Sequence, residues 1–179
     1  MMKKFFLLLV PASLLLACNN ETGTIDNTNS DTTAAKAPVN LPYAVDRTPD
    51  WETGDQGHVA IAMNTLKGYE QNDMAAVASN LADSVEFYAD GVSFKGTKDS
   101  LVQMMSSYRN SYDTVRIRMI DYESVKSKGR GDEWVGLWYT ETVTPKGGKT
   151  DSAMTMDDIK IVNGKVAIID SKMRKLVSK

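Results

Sequence analysis

The amino-acid sequence predicts an α+β domain in which helices come first and an antiparallel sheet follows. Apolar residues recur at helical spacing before Asp113, and after it they alternate with polar residues, as they do in a strand. The dipeptide Asn163-Gly164 separates two alternating segments and is a strong signal for a two-residue hairpin. Helices followed by consecutive strands are typical of α+β folds. We therefore expect a cone-shaped domain with three N-terminal helices packed on a curved, bulged antiparallel sheet.

Three helices are expected between residues 51 and 112. The first begins after Thr53 or Asp55, either of which can cap its N-terminus, and the other two follow Asp73 and Thr97. A short hairpin that turns at Asp90-Gly91 separates the second helix from the third. The buried faces are expected to carry Val59, Ala62, Met63, Leu66 and Tyr69 in the first helix, Met74, Val77, Ala78 and Leu81 in the second, and Leu101, Met104 or Met105, Tyr108 and Tyr112 in the third.

Four longer strands are expected after Asp113, over residues 115–122, 133–144, 153–162 and 165–173. In the first of them the apolar positions shift by one residue at Ile120, which indicates a β-bulge. The second is apolar on both faces, with Trp134 and Trp138 on one face and Val135, Leu137 and Tyr139 on the other.

This order of elements resembles the nuclear-transport-factor-2-like superfamily, which includes the SnoaL-like polyketide cyclases and the ketosteroid isomerases. The resemblance covers residues 51–176 and is carried by Asn72-Asp73, residues 81–87, Phe94-Lys95-Gly96 and residues 159–166. It implies a cone between sheet and helices that holds a small apolar ligand, hosts acid–base catalysis, or is simply filled with side chains.

The resemblance also implies where isomerase chemistry would reside. That chemistry uses a carboxylate base, a phenol and a protonated acid. The aligned positions are Ala89, with Asp90 beside it, for the base, Thr65 for the phenol and Asp157 for the acid. Only the acid is retained, so Asp157 is the candidate catalytic residue if the protein is an enzyme. The alternative for Asp157 is a solvated aspartate at a strand end beside Asp158.

A ligand pocket is predicted from the aromatic residues and the same aspartate. Tyr69, Tyr88, Trp134 and Trp138 can line a cavity for a flat apolar ligand, with Asp157 at its wall. The alternative is that the four aromatic side chains belong to the core.

The N-terminus predicts a lipid-anchored protein of a bacterial envelope. Lys3 and Lys4 precede an apolar run that is too short to span a bilayer and is typical of a secretory signal. Leu15-Leu16-Ala17-Cys18 resembles the lipobox of bacterial lipoproteins, which implies cleavage before Cys18 and lipidation of its sulfur, and hence attachment to a membrane. An ordinary secretory signal with an incidental cysteine is the alternative.

The predicted organisation is a signal peptide over residues 1–17, a lipidated Cys18 with a disordered tether over residues 18–50, and one domain over residues 51–179. Residues 19–40 contain five Asn, five Thr and no aromatic residue, a composition that cannot bury enough apolar surface to fold.

Composition excludes several classes of function. Removing Lys3 and Lys4 from 21 basic residues leaves 19 against 23 acidic ones, which argues against nucleic acid as a partner. Cys18 is the only cysteine, so no disulfide is expected within the chain, and His58 is the only histidine, which excludes a multi-histidine metal site. We expect neither a metal nor a cofactor.

Three functions are consistent with these patterns. The first is a non-catalytic domain that binds a small apolar ligand or an envelope partner. The second is an isomerase, cyclase or dehydratase that uses Asp157. The third is a structural or assembly module, for example a homodimer that forms through the outer face of the sheet.

Overall fold

The computed structural model of the chain describes residues 41–47 and 50–176. Residues 41–47 are exposed and contain neither helix nor strand. Within residues 50–176 the elements are β1 (Trp51–Thr53), α1 (Gln56–Gln71), α2 (Met74–Asn80), β2 (Leu81–Ala89), β3 (Val92–Thr97), α3 (Lys98–Arg109), β4 (Tyr112–Ser127), β5 (Glu133–Pro145), β6 (Asp151–Val162) and β7 (Lys165–Lys175). The predicted α+β order of helices and strands is confirmed.

The strands form one sheet in the order β1-β4-β5-β6-β7-β2-β3. All neighbouring pairs are antiparallel except β2 and β7, which run parallel. The sequence prediction did not include β1 or this parallel pair. A parallel pair requires a long connection between its two strands, and here the connection from β2 to β7 contains β3, α3, β4, β5 and β6.

The helix starts follow the predicted caps. The side chains of Asp55, Asp73 and Thr97 accept hydrogen bonds from the backbone N–H groups of Gly57, Ala76 and Ser100, respectively. The prediction that Tyr112 lies on α3 is wrong, because the helix ends at Arg109 and Tyr112 begins β4.

Two irregularities in the sheet lie where the sequence predicts them. The pairing of β4 with β5 shifts register between Met119 and Asp121, which confirms the bulge at Ile120. Asn163 and Gly164 both have positive φ, 51° and 69°, as a type I′ hairpin turn requires.

The helices cover the inner face of the sheet, and the core lies between these two layers. On β5 the inward residues are Val135, Leu137 and Tyr139, all buried. Alternation therefore places Trp134 and Trp138 on the outer face. On β6 the inward residues include Asp157 and Ile159.

One end of the sheet, here called the turn end, carries the β4–β5 turn (residues 128–132) and the β6–β7 hairpin (Asn163-Gly164). The first residues of the domain are fastened there. The Asp50 carboxylate accepts hydrogen bonds from Ser127 Oγ at 2.9 Å and from the backbone N–H of Gly129 at 2.6 Å, and these bonds lower its pKa. Trp51 pairs with Ser127, and the Arg130 guanidinium lies 5.3 Å from the centre of the Trp51 ring.

No helix among the described residues is both long and apolar enough to cross a bilayer. Cys18, the predicted signal peptide and residues 18–40 of the predicted tether lie outside the described residues.

Candidate functional site

A cavity of about 410 Å³ lies between α1, α3 and the inner face of the sheet. Most of its walls are apolar, as in sites for small organic ligands. The lining residues are Ala62, Thr65, Leu66, Tyr69, Phe87, Ala89, Asp90, Val92, Met104, Met105, Tyr108, Tyr139, Glu141, Asp157, Ile159, Val166, Ile169, Ser171 and Met173.

The cavity has a buried floor and an exposed rim. Ala62 and Val166 are almost completely buried, whereas Val92, Tyr108 and Met173 are 41%, 56% and 49% exposed. Val92 lies just after β2, Tyr108 near the end of α3 and Met173 near the end of β7. The mouth of the cavity is therefore at the end of the sheet opposite the turn end. A ligand of moderate size can therefore enter without unfolding the domain.

Asp157 lies in the wall of this cavity and is only 5% exposed. The Tyr139 hydroxyl donates a hydrogen bond to its Oδ2 at 2.9 Å. Its Oδ1 has no hydrogen-bond partner among the described residues. Burial raises the pKa of Asp157 to about 6, although the nearby hydroxyls of Ser171 and Tyr139 oppose the rise.

Glu141 is a second acid in the wall, and the sequence reasoning missed it. It follows Tyr139 by two residues on β5 and thus continues the inward face. Burial, together with the charge of Asp157, raises its pKa to about 7. The alternation of β5, which places Val135, Leu137 and Tyr139 on one face, predicts that Glu141 lies on the same face. The prediction from the sequence named only the three apolar residues of this face.

Three phenols surround the two acids. Burial and the charge of Glu141 raise the pKa of Tyr69, and burial and Asp157 raise that of Tyr139. The hydroxyls of Tyr108 and Tyr112 are hydrogen-bonded to each other at 2.8 Å, and this bond together with burial raises the pKa of Tyr108. All three phenols are therefore neutral at physiological pH and available for hydrogen bonding.

The structure brings only part of the predicted pocket together. Tyr69 and Asp157 line the cavity, whereas Tyr88, Trp134 and Trp138 do not.

Strand alternation explains why these three residues do not line the cavity. Phe87 and Ala89 face the cavity, so Tyr88 between them points to the other face, where its hydroxyl donates to Glu86 at 2.6 Å. Trp134 and Trp138 lie on the outer face of β5 for the same reason. Because β5 is apolar on both faces, its sequence did not reveal which face would meet the helices. Whether the outer face binds a second copy of the chain stays a prediction.

The three positions that the resemblance assigns to isomerase chemistry all line the same cavity: Thr65, Ala89 and Asp157. Two of them cannot serve that chemistry. Ala89 has no ionisable group, and the Thr65 hydroxyl donates to the carbonyl oxygen of Ile61 at 2.9 Å. Asp90, next to Ala89, is exposed at the rim.

Residues 41–47 and 50–176 contain no group of three or more His, Cys, Asp or Glu side chains that could hold a metal ion. His58 lies at the turn end, where its Nδ1 is 2.7 Å from Glu133 Oε2.

No protein-family model matches the sequence, and no curated protein is significantly similar to it. Solved structures, however, are similar in fold. An LEH-like epoxide hydrolase from Mycobacterium tuberculosis aligns with a TM-score of 0.55 and 10% identity over 66% of this chain and 83% of its own. AusH from Aspergillus nidulans aligns with a TM-score of 0.55 and 13% identity over 72% of this chain and 90% of its own.

An NTF2-like protein of unknown function from Burkholderia pseudomallei aligns with a TM-score of 0.54 and 12% identity over 68% of this chain and 92% of its own. At these identities the similarity establishes the fold and leaves the chemistry open. The chain thus has the nuclear-transport-factor-2-like fold that its order of helices and strands predicts.

Proposed function

We propose that this protein is a lipoprotein of the bacterial cell envelope whose domain binds a small, largely apolar molecule in the cavity. The observation that carries the proposal is the open cavity of about 410 Å³, which has apolar walls and the buried, half-satisfied carboxyl group of Asp157. A filled cone would have left no such space. The apolar walls supply binding free energy, and the few polar groups orient the ligand.

The envelope location and the anchor at Cys18 rest on the sequence alone. The lipobox-like residues and the polar composition of residues 19–40 support them. A chain held in this way would present a ligand-binding domain outside the cytoplasm.

Binding in the cavity can be tested by filling it. Ala62 lines the cavity on α1, whereas Ala60 is exposed on the same helix. Ala62→Leu should weaken the binding of an uncharged apolar fluorescent probe such as N-phenyl-1-naphthylamine at least about threefold, because added methyl groups occupy the space. Ala60→Leu makes the same chemical change and should leave binding unaltered. Equal probe binding by both folded variants would contradict the proposal.

A second candidate function is an enzyme that moves a proton next to a carbonyl group. It is favoured by one observation: two acids with pKa values of about 6 and 7 lie in the same apolar cavity. In this arrangement Asp157, which has the lower pKa, is the ionised base, and the Glu141 carboxyl group, which has the higher pKa, is protonated and donates a hydrogen bond to the forming oxyanion. This set differs from the one that the resemblance implies, because Asp157 is the base and the protonated acid comes from β5.

The catalytic alternative has its own test. Deuterium exchange at the carbon beside the carbonyl of an unsaturated cyclic ketone can be followed by NMR. Asp157→Asn should abolish any exchange that the protein accelerates, and Glu123→Gln, a change at an exposed acid on β4, should not. Acceleration that survives both Glu141→Gln and Asp157→Asn would remove this candidate.

A further inference from the structure

The walls of the cavity are acidic as well as apolar. Asp157, Glu141 and Asp90 all line it, and none of its lining residues is Lys, Arg or His. An isolated carboxylate in an apolar site is costly unless a donor or a cation accompanies it. The cavity therefore holds negative charge with no positive partner of its own.

The basic groups that lie nearest are engaged elsewhere. Lys172 lies close enough to influence Asp157, but its Nζ contacts Asp158 at 2.8 Å and Asp170 at 3.0 Å. Arg109 influences Tyr69, but its guanidinium donates to three backbone carbonyl oxygens, each at 3.1 Å. Neither cation can neutralise the acids in the cavity without giving up these contacts.

One of the two carboxyl oxygens of Asp157 is without a hydrogen bond within the described residues, although the Ser171 hydroxyl lies close to the group. Its Oδ2 accepts from Tyr139, but its Oδ1 is buried and unpartnered among the described residues. A carboxylate oxygen accepts only from N–H or O–H groups, so the open position calls for a donor that arrives with the ligand. Such an unsatisfied buried oxygen in a cavity wall attracts positive charge and also favours a ligand whose donor group points toward it.

The remaining neighbours of the two acids suit a cation. The rings of Tyr69, Tyr108 and Tyr139 belong to α1, α3 and β5, and all three line the cavity. Aromatic faces attract cations within about 6 Å, and more strongly where water is excluded. The other ionisable groups close to the acids are Tyr112 at the start of β4, beside Tyr69, and Asp158 on β6, beside Asp157. The first is a phenol and the second an acid, so neither repels a cation.

We infer that the ligand of this cavity is a hydrophobic amine, whose protonated nitrogen donates to Asp157 Oδ1 in the field of Glu141 while its apolar body fills the space between α1, α3 and the sheet. This inference rests on the proposed binding function and specifies the chemical class of the ligand. An anionic ligand would require the basic side chains that the cavity walls lack.

The inference has a consequence for protons. Because burial raises the pKa values of Asp157 and Glu141, both acids hold protons in part near neutral pH, and a bound cation favours their ionised forms. Binding of the amine should release protons, and its affinity should rise as the pH increases from about 5 to about 8.

Three matched probes distinguish charge from shape: naphthylmethylamine, naphthylmethanol and naphthoic acid. They share one ring system and differ in whether the polar group is a cation, a neutral donor or an anion. Isothermal titration calorimetry of the full chain, in buffers of different ionisation enthalpy, gives both the affinity and the number of protons released. We expect the amine to bind at least about tenfold more tightly than the alcohol, the difference that a charged hydrogen bond contributes.

Variants of the two acids show which residues cause the preference for the amine. Asp157→Asn and Glu141→Gln should each reduce the preference for the amine over the alcohol, and Glu123→Gln should leave it unchanged. Because each acid is replaced in a separate variant, the test survives if one of them fails to fold.

Each outcome bears on a different claim. Equal affinity for amine and alcohol, or preference for the acid, would overturn the inference and leave the proposed binding function standing. A preference for the amine that persists in both variants would overturn the assigned residues. Failure of all three probes to bind the folded protein would contradict the proposed function as well.

Discussion

The Tyr139 hydroxyl donates a 2.9 Å hydrogen bond to Asp157, and this bond links the central strands β5 and β6 at the wall of the cavity. The two residues are not a directly paired couple in the sheet, because Asp157 lies opposite Leu137 and Tyr139 lies opposite Thr155. The bond is therefore a diagonal contact on the inner face. It holds the carboxyl group in one orientation, with Oδ2 satisfied and Oδ1 left for another donor.

Tyr139→Phe should raise the pKa of Asp157 above its present value of about 6, because the substitution removes a donor that favours the carboxylate. It should also lower the free energy of unfolding by about 1–3 kcal/mol, with the larger loss at alkaline pH, where the carboxylate is charged. NMR titration of the Asp157 carboxyl carbon and urea unfolding measure the two effects. Tyr122→Phe, at an exposed position on β4, is the control. An unchanged titration would show that this hydrogen bond does not set the pKa of Asp157.

Asp157→Asn should make the protein more stable at high pH relative to the wild type. The folded pKa of Asp157, about 6, is above the ordinary aspartate value of 3.8, so the folded state binds the proton more tightly. Its contribution to stability is present below about pH 4 and is lost as the pH rises through about 6. The difference in unfolding free energy between variant and wild type should therefore grow by up to about 3 kcal/mol between pH 4 and pH 8.

A control variant for that experiment removes a carboxylate whose contribution to stability depends on pH in the opposite direction. Lys98, whose Nζ lies 2.8 Å from Asp83 Oδ1, lowers the pKa of Asp83. Asp83→Asn should therefore remove a contribution that is present at neutral pH and disappears as the pH falls. Chemical unfolding of the three proteins from about pH 2 to about pH 8 tests both signs, because the Asp83 contribution is lost below about pH 4. Parallel curves for Asp157→Asn and the wild type would refute the first.

Arg109→Met should destabilise the domain by about 2–4 kcal/mol. The buried Arg109 guanidinium donates to the carbonyl oxygens of Tyr69 and Glu70 at the end of α1 and of Tyr112 at the start of β4. Arg109→Lys should restore only part of the stability, because an ammonium group lacks the planar fork of donors. The midpoint of urea unfolding is the measurement. Arg118→Met, at an exposed position, is the matched control and should shift the midpoint little. Equal shifts at both positions would contradict the structural role of Arg109.

Cys18→Ser should abolish membrane attachment. Only the thiol can carry the acyl chain that the lipobox-like sequence implies, and at least two chains are needed for durable anchoring. Metabolic labelling with an alkyne analogue of palmitate, followed by membrane fractionation, measures the effect in the organism or a bacterial host. Ser13→Ala, within the predicted signal peptide, is a control that should leave labelling intact. A Cys18→Ser protein that is still labelled and still sediments with membranes would refute the anchor.

Local chemistry accounts for most of what the sequence predicts correctly about the fold. Asp73 and Thr97 cap helices because their side chains satisfy free backbone N–H groups within three residues, and Asn163-Gly164 turns the chain because both residues tolerate positive φ. The bulge at Ile120 is visible for a similar reason, since a shift in alternation is a local event. The parallel pairing of β2 with β7 involves residues that are far apart in the sequence, and no local pattern encodes it.

Local patterns likewise predict some residues of the candidate site and not others. Asp157 was predictable because Ile159 and Ile161 define the inner face of its strand. The alternation of β5 that places Tyr139 on the inner face places Glu141 there as well, but no local pattern shows that this end of the strand borders a cavity. Trp134 was misplaced because a strand that is apolar on both faces does not indicate which face the helices cover.

The fastening of Asp50 and Trp51 at the turn end separates the point where the chain enters the domain from the mouth of the cavity. The cavity opens at the other end of strands such as β5, whose 13 residues span roughly 40 Å. A lipid on Cys18 would therefore be attached at the base of the domain, so that neither the anchor nor the chain leading to it would obstruct the entry of a ligand.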